Sequence, residues 1–375
     1  MTLTTPMREF FNHELAPDTK YQDITYELKP VVGPEGLEIE GLFNAWIWLD
    51  NPKQYNSYTT RALSELILAF RQASNDPKVQ SVIFTAVGDK AFCTGGNTAE
   101  YSEHYAGRPD EYRRYMRLFN DLVSGLMECD KPVINRVNGM RIGGGQEIGM
   151  ACDFTVAADT ARFGQAGPKH GSAPVGGSTD FLPLFVGWAR ATSSCTLCET
   201  WTAHQAMDYG LINGIAPVLK VDGKFVANPM VHTQAAYDEF GRPLWGAMKS
   251  GEALQEGKAT MKSAEVDLSM LDAEVELLAY KLACTMPDCL TYTLENLRRH
   301  KLAHWDKNRE GSRAWLALNM MTEAHAGFRT FHRAPREERE PDFLEMRRAL
   351  AEGEVWGDDK FLDRFAPHAK NEDKS

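Results

Sequence analysis

The sequences AFCTGGN at residues 91–97 and IGGGQE at residues 142–147 are the two stretches that decide the fold. Each follows a run with strand character, VQSVIFTA at residues 79–86 and PVINRVN at residues 132–138. Glycines between a buried strand and a helix leave backbone N–H groups clear of side chains, so an anionic atom can approach them closely. One such run is common in α/β proteins. Two at consecutive strand ends predict that two N–H donors converge on one oxygen atom as an oxyanion hole.

The segments around these runs predict an α/β fold. Strand-like runs lie between residues 26 and 50, and apolar residues recur at helical spacing from Thr59 to Ala73. A helix is expected within residues 109–129 and a further strand at residues 154–158. Strands that alternate with helices in this way indicate a layered core with helical crossovers.

The glycine runs also resemble the two oxyanion loops of the crotonase (enoyl-CoA hydratase/isomerase) superfamily. The first match is KAFCTGGN at residues 90–97, and the second extends from Asn138 to Asp153. Three further matches follow the order and spacing of the family, at residues 52–57, 161–165 and 206–213. The resemblance implies that the α/β core is the ββα-repeat spiral of crotonases.

The resemblance divides the chain into three parts. Residues 1–20 are expected to be an N-terminal arm, residues 21–220 the spiral core, and residues 221–375 an extended C-terminal helical region with a charged tail. The third part begins with a polar stretch up to Lys262 and then shows helical spacing as far as Arg333. In crotonases the C-terminal helices pack on other subunits, so the resemblance implies a homotrimer or a hexamer.

Composition excludes several classes of function. The formal net charge of −11 opposes nucleic-acid binding, which needs a basic surface, but a local basic cluster can still hold an anionic small ligand. No apolar run is long enough to span a bilayer, and the first eleven residues lack the pattern of a signal peptide. The seven cysteines are scattered and odd in number, which is typical of a cytoplasmic protein. We expect neither a membrane partner nor a metal site.

Gly96, Gly144 and Glu147 are the first candidates for catalysis. The resemblance implies that the N–H groups of Gly96 and Gly144 hold a thioester oxygen, and Gly144 opens a predicted helix, where N–H groups lack intrahelical partners. Glu147 lies in the first turn of that helix and matches one of the two glutamates that position water in enoyl-CoA hydratases. The simpler interpretation of Glu147 is a carboxylate that complements the helix dipole.

The second hydratase glutamate is missing, because Gly167 occupies its position. The segment GPKHGSAP at residues 167–174 instead resembles the branch of the superfamily that acts on ring-containing acyl-CoA esters. That branch carries an aspartate two residues after the serine, where this chain has Pro174. Another acid or base is therefore expected nearby.

His170 and Asp180 are the candidates for that second group. A histidine can exchange protons near neutral pH without much tuning, although a lone loop histidine is more often a packing residue. Asp180 follows Ser178 and Thr179 before an apolar helical run, so it is alternatively a helix-start carboxylate.

The resemblance also implies contacts with the acyl-CoA substrate. Lys53 matches a lysine that contacts coenzyme A phosphates, and Arg329 or Arg333 lies where a C-terminal basic residue often does the same. The remaining expected substrate contacts belong to the two loops that flank the acyl group: Ala91, Cys93, Gly95, Asn97, Gly167 and Ser172.

The resemblance carried by the glycine loops, the segment at residues 167–174 and the long C-terminal region implies a ring-opening acyl-CoA hydrolase of anaerobic aromatic degradation. It would add water to a cyclic enone thioester and then hydrolyse a ring carbon–carbon bond. No separate cofactor is expected, because the thioester is the electron sink and coenzyme A is part of the substrate. The alternatives are another crotonase-type hydratase or ring-forming synthase, and a non-catalytic or RNA-binding homologue.

Overall fold

The computed structural model describes residues 19–369, so the N-terminal arm expected at residues 1–20 lies almost entirely outside the described residues. The strands are β1 Ile24–Val32, β2 Glu38–Leu49, β3 Val79–Ala86, β4 Ala91–Cys93, β5 Val133–Val137, β6 Met140–Ile142, β7 Phe154–Ala158, β8 Arg162–Gly164, β9 Thr200–Thr202, β10 Gly214–Ala216, β11 Leu219–Val221, β12 Lys224–Val226 and β13 Glu265–Val266. The helices are α1 Thr60–Asn75, α2 Thr98–Glu100, α3 Pro109–Met127, α4 Gly144–Ala151, α5 Ser178–Val186, α6 Trp188–Leu197, α7 Ala203–Asp208, α8 Gly251–Ser263, α9 Ser269–Ala283, α10 Pro287–Asn319, α11 Glu323–Arg333, α12 Phe343–Ala351 and α13 Asp359–Phe365.

Two sheets are built from successive strands of the same spiral. The larger sheet has the order β1-β2-β3-β5-β7-β10, and the smaller has the order β4-β6-β8-β9. The pairs β3/β4, β5/β6 and β7/β8 each give one strand to each sheet. From β2 onward the neighbours in the larger sheet are parallel. The predicted α/β fold with ββα repeats is confirmed.

The core is filled from both sides of the larger sheet. Strand β3 is buried along almost its whole length, as expected for a parallel strand covered on both faces. On one face Phe84 makes edge-to-face contacts with Phe70 of α1 and with Phe92 of β4. This packing joins α1 and both sheets into one core.

The other face of the larger sheet is covered by α9. Its buried residues Leu271, Val275 and Ala279 follow a spacing of four and pack with Trp46 and Ile83 of the sheet. The predicted C-terminal helices are thus present, and they complete the core of their own chain.

Helix α10 crosses the opposite side of the molecule and packs on α3 and α5. Its Trp305 is fully buried and donates a hydrogen bond to the Ser124 hydroxyl at 3.0 Å. Helix α11 then turns back over the short 3-10 helix at Gly167–His170. None of the helices within residues 19–369 is both long and apolar enough to cross a membrane.

Candidate active site

A cavity of about 630 Å³ lies where the two glycine loops meet. Its walls are both loops, the start of α4, one face of α3, the segment from Gln165 to Gly176, and α11. Gly96, Gly144, Glu147 and His170 all line it. The structure therefore brings four of the five residues predicted to be catalytic to one cavity.

The two glycine loops are in direct contact. A Cβ atom placed on Gly95 would lie 3.0 Å from the Gly144 nitrogen, and Gly95 has a φ of +101°, which L side chains rarely adopt. No described residue accepts a hydrogen bond from the N–H of Gly96 or of Gly144. Two unused donors on touching loops are the arrangement that an oxyanion hole requires.

Tyrosine hydroxyls lie directly over both candidate donors. A Cβ atom on Gly144 would overlap the hydroxyl of Tyr58, and one on Gly96 would overlap the hydroxyl of Tyr101. The two positions therefore need glycine for space as well as for access to the backbone. The Tyr101 hydroxyl is bonded to that of Tyr115 at 2.7 Å.

Glu147 is a buried carboxyl group with backbone partners. Its Oε1 accepts hydrogen bonds from the N–H of Gly176 at 3.0 Å and of Ser178 at 3.4 Å. Burial raises the pKa of Glu147 to about 8, because its effect on the pKa is larger than the opposing effect of these hydrogen bonds. A carboxyl group with a pKa near the working pH can both accept and donate a proton, as general acid–base catalysis requires.

The helix that carries Glu147 is anchored at its far end by α10. The Lys301 ammonium donates to the carbonyl oxygens of Met150, Ala151 and Cys152 at 2.9–3.0 Å. A cation at a helix C-terminus is favourable because the last carbonyls lack partners. The adjacent ion pair of Arg298 with Asp153 is also buried, at 2.5 Å.

The backbone itself excludes a glutamate at position 167. The Ser172 N–H donates to the Gly167 carbonyl at 2.9 Å, which closes a tight turn. A Cβ atom on Gly167 would overlap the carbonyl oxygen of Ser172. Both residues line the cavity, but the two-glutamate arrangement of a plain hydratase does not fit this turn.

His170 lies in this same turn with its ring against Phe331 of α11, the centroids 4.5 Å apart. Its Nδ1 is buried without a hydrogen-bond partner among the described residues. Burial lowers the pKa of His170, so the imidazole is neutral at pH 7 and able to accept a proton.

Asp180 does not line the cavity. It lies in the first turn of α5 and accepts a hydrogen bond from the Asn308 amide at 2.5 Å. Burial raises the pKa of Asp180, and its charge adds to the rise in the pKa of Glu147. The geometry matches the helix-start alternative for Asp180.

The expected substrate contacts divide into two groups. Lys53 and Gly95 line the cavity, as Gly167 and Ser172 do. Ala91, Cys93 and Asn97 support the first loop from behind: the Ala91 carbonyl accepts from Asn56, Cys93 Sγ accepts from the Gly95 N–H, and the Asn97 side chain caps α2.

The C-terminal arginines are engaged within the protein. Arg329 donates to the carbonyl oxygens of Ser102 and Ala369, and Arg333 forms a bidentate ion pair with Glu103. Arg339 lines the cavity instead, with its guanidinium over the Phe331 ring. Sequence reasoning missed Arg339 because its position depends on how the chain returns after α11.

Sequence reasoning also missed the cavity tyrosines Tyr58, Tyr101 and Tyr112. A signal was present: tyrosine recurs at positions 101, 105, 112 and 115, where a purely structural helix face would carry leucine or phenylalanine. Buried tyrosine hydroxyls need partners, so such a cluster indicates a polar pocket.

Among residues 19–369 no group of histidine, cysteine and carboxylate side chains is arranged to hold a metal ion.

The fold and the site define a crotonase. The family model for enoyl-CoA hydratase/isomerase matches residues 44–238, and the chain belongs to this family. It is 58% identical over 363 residues to a 6-oxocyclohex-1-ene-1-carbonyl-CoA hydrolase of Thauera aromatica, covering 96% of each chain. A protein of the same name from Geobacter metallireducens is 59% identical over 92% of this chain and 91% of its own.

Solved structures share the fold at lower identity. An enoyl-CoA hydratase/isomerase from Xanthobacter autotrophicus Py2 superposes with a TM-score of 0.61, at 23% identity, over 84% of this chain and 94% of its own. An enoyl-CoA hydratase from Mycobacterium avium subsp. paratuberculosis gives 0.57 at 19% identity, over 80% and 95%.

Proposed function

We propose that this protein is a ring-opening hydrolase of 6-oxocyclohex-1-ene-1-carbonyl-CoA, with 3-hydroxypimeloyl-CoA as the product. The observation that carries the proposal is 58% identity to a protein of that name along 96% of both chains. The match extends over 363 residues, so it is not confined to the glycine loops.

The first water adds to the ring double bond. The thioester oxygen binds the N–H groups of Gly96 and Gly144, and negative charge moves onto that oxygen as the water oxygen bonds to the β-carbon. One lost donor of this kind costs about 3–4 kcal/mol of transition-state stabilisation. Glu147 as the carboxylate takes the proton from the water and then returns a proton to the α-carbon.

The second water attacks the ring ketone. The resulting tetrahedral centre collapses by breaking the bond between the ketone carbon and the α-carbon. The electron pair of that bond passes onto the same thioester oxygen as an enolate, so one oxyanion hole serves both steps. Protonation of the α-carbon gives the open-chain thioester, and the former ketone carbon becomes a carboxyl group.

His170 is the second proton-handling group of this proposal. The two waters attack different ring carbons, and one glutamate beside the enolate oxygen is poorly placed for both. The neutral imidazole of His170 lines the same cavity as Glu147, on a turn packed against α11. Asp180 is the reserve candidate, although it lies outside the cavity wall.

The proposal includes no cofactor, because the thioester accepts the electron pair in both steps. It also includes assembly into a homotrimer or hexamer. Several large apolar side chains of α10 and the turn after it are exposed in the single chain, which favours burial against another subunit: Tyr292, Leu297, Trp315, Leu318 and Met321. Light scattering with size-exclusion chromatography measures this directly.

The test of function is the mass of the product. The protein is incubated with the cyclic enone thioester, and the molecular masses of the separated products are measured by mass spectrometry. Two added waters support ring opening, one water identifies a hydratase, and an unchanged substrate identifies a non-catalytic homologue. The control variant is Glu147→Gln, in which substrate is expected to persist.

A further inference from the structure

Tyr58 lines the cavity beside the glycine loops, and the mechanism above leaves its hydroxyl unused. It is 3% exposed. Its hydroxyl makes no hydrogen bond with any described residue. The neighbouring Tyr101 hydroxyl differs, because it is bonded to Tyr115. A tyrosine hydroxyl that faces a cavity without a protein partner can donate its hydrogen bond to a bound ligand.

The backbone holds Tyr58 on the first oxyanion loop. The Tyr58 N–H donates to the Gly95 carbonyl at 3.0 Å, and the Asn97 N–H donates to the Tyr58 carbonyl at 3.0 Å. These two bonds flank Gly96, the first oxyanion donor. The phenol ring packs on Phe119, with centroids 5.9 Å apart. Both the backbone and the ring of Tyr58 are therefore held in place.

The hydroxyl lies over the second oxyanion donor. A Cβ atom on Gly144 would overlap it. Burial raises the pKa of Tyr58 well above its ordinary value, and nearby charges add to the rise, so the phenol stays protonated. Tyr58 is therefore a hydrogen-bond donor beside Gly144, in the cavity that Glu147 also lines.

The chemistry of the substrate supplies a matching acceptor. The ring ketone and the thioester are attached to the same ring carbon, so their oxygens are separated by only three carbon atoms. When the thioester oxygen binds Gly96 and Gly144 and the two carbonyl groups point to the same side, the ketone oxygen lies next to the oxyanion hole. An enoyl thioester without a ring ketone has nothing to place there.

We propose that Tyr58 is a catalytic residue that donates its hydroxyl hydrogen bond to the ring ketone oxygen. This inference rests on the proposed function. The bond polarises the ketone for the second water and stabilises the alkoxide that forms as the water oxygen bonds to the ketone carbon. Tyr58 keeps its proton throughout. The alkoxide re-forms the C=O bond when the carbon–carbon bond breaks, and the electron pair leaves to the thioester enolate.

The experiment compares the two steps in Tyr58→Phe. The variant receives either the cyclic enone thioester or its hydrated, still cyclic ketone. We expect cleavage of the hydrated ketone to slow about hundredfold, as for loss of one preorganised donor. Hydration should slow much less, so the product with one added water accumulates. Tyr26→Phe is the control, because it also removes a tyrosine hydroxyl without a partner among the described residues, but Tyr26 does not line the cavity.

Circular dichroism and urea unfolding should show that Tyr58→Phe folds like the wild type. Wild-type cleavage by Tyr58→Phe, or an equal loss in both steps, overturns the role of Tyr58. If the wild-type protein itself opens no ring, the proposed function is what fails.

Discussion

The ammonium nitrogen of Lys301 on α10 lies 2.9 Å from the carbonyl oxygen of Cys152, the C-cap residue of α4. The other end of α4 is Gly144, the second oxyanion donor. A residue about 150 positions further along the chain thus fixes the helix on which Gly144 and Glu147 stand. The C-terminal region contributes to the geometry of the site without touching the substrate.

Lys301→Met should loosen that helix. Three carbonyl oxygens lose their buried donor, and leaving such groups unpaired costs about 1–3 kcal/mol. Urea unfolding measures this loss. We also expect a lower kcat with a nearly unchanged KM. Lys307→Met is the control, because Lys307 is exposed on the same helix and should change stability by less than about 0.5 kcal/mol. Equal stability of the two variants would contradict the anchoring role.

Glu147→Gln should remove proton transfer while keeping the shape of the side chain. The amide oxygen can still accept the bonds from Gly176 and Ser178, but the group has no basicity. We expect the steady-state rate to fall at least about a hundredfold, the lower end of general acid–base contributions. A rate within a fewfold of wild type would leave Glu147 as a dipole-complementing residue.

The same substitution should change the pH dependence of stability. The folded protein holds the Glu147 proton up to a pKa of about 8, whereas the unfolded chain releases it near the ordinary value of 4.5. The free energy of unfolding of the wild type therefore decreases as pH rises between these values. Glu147→Gln lacks this loss, so it should be more stable than wild type at pH 8.5 but not at pH 4. Urea titrations at both pH values measure the difference.

His170→Ala should uncouple the two water steps or block the first. If His170 serves the second water, the cyclic product with one added water accumulates; if it serves the first, substrate persists. The decline of the rate in acid should become shallower, because Glu147 is still protonated there but His170 is gone. His300→Ala, on the exposed face of α10, is the control. Normal ring opening by His170→Ala would contradict the role of His170, and Asp180 would be the next residue to substitute.

Gly167→Ala should destabilise the turn that carries His170. The new Cβ atom would overlap the Ser172 carbonyl, and relief of such a contact costs about 1–3 kcal/mol. Gly125→Ala is the matched control, since Gly125 lies inside α3 with open space around its Cβ position. There alanine should stabilise the helix by up to about 1 kcal/mol. Thermal unfolding of the pair should give shifts of opposite sign.

Features encoded over short stretches could be predicted from the sequence. The glycine loops, the helix at Pro109–Met127 and the position of Glu147 follow from local patterns of apolar and glycine residues. Lys301, Tyr58 and Arg339 depend on contacts between distant segments, which a local pattern does not contain. Arg329 is a residue for which the local prediction failed. A contact with coenzyme A was expected at this position, but in the structure the guanidinium donates to backbone carbonyls.

The tight turn between Gly167 and Ser172 limits how this protein can change during evolution. A single nucleotide change in the codon for residue 167 can replace the glycine by the glutamate of a hydratase. The carbonyl of Ser172, however, occupies the space that the Cβ atom of that glutamate needs. Several neighbouring residues would have to change together before that glutamate could be accommodated. The two kinds of enzyme are thus separated by the path of the main chain, so that a lineage passing from one to the other must first rebuild this turn.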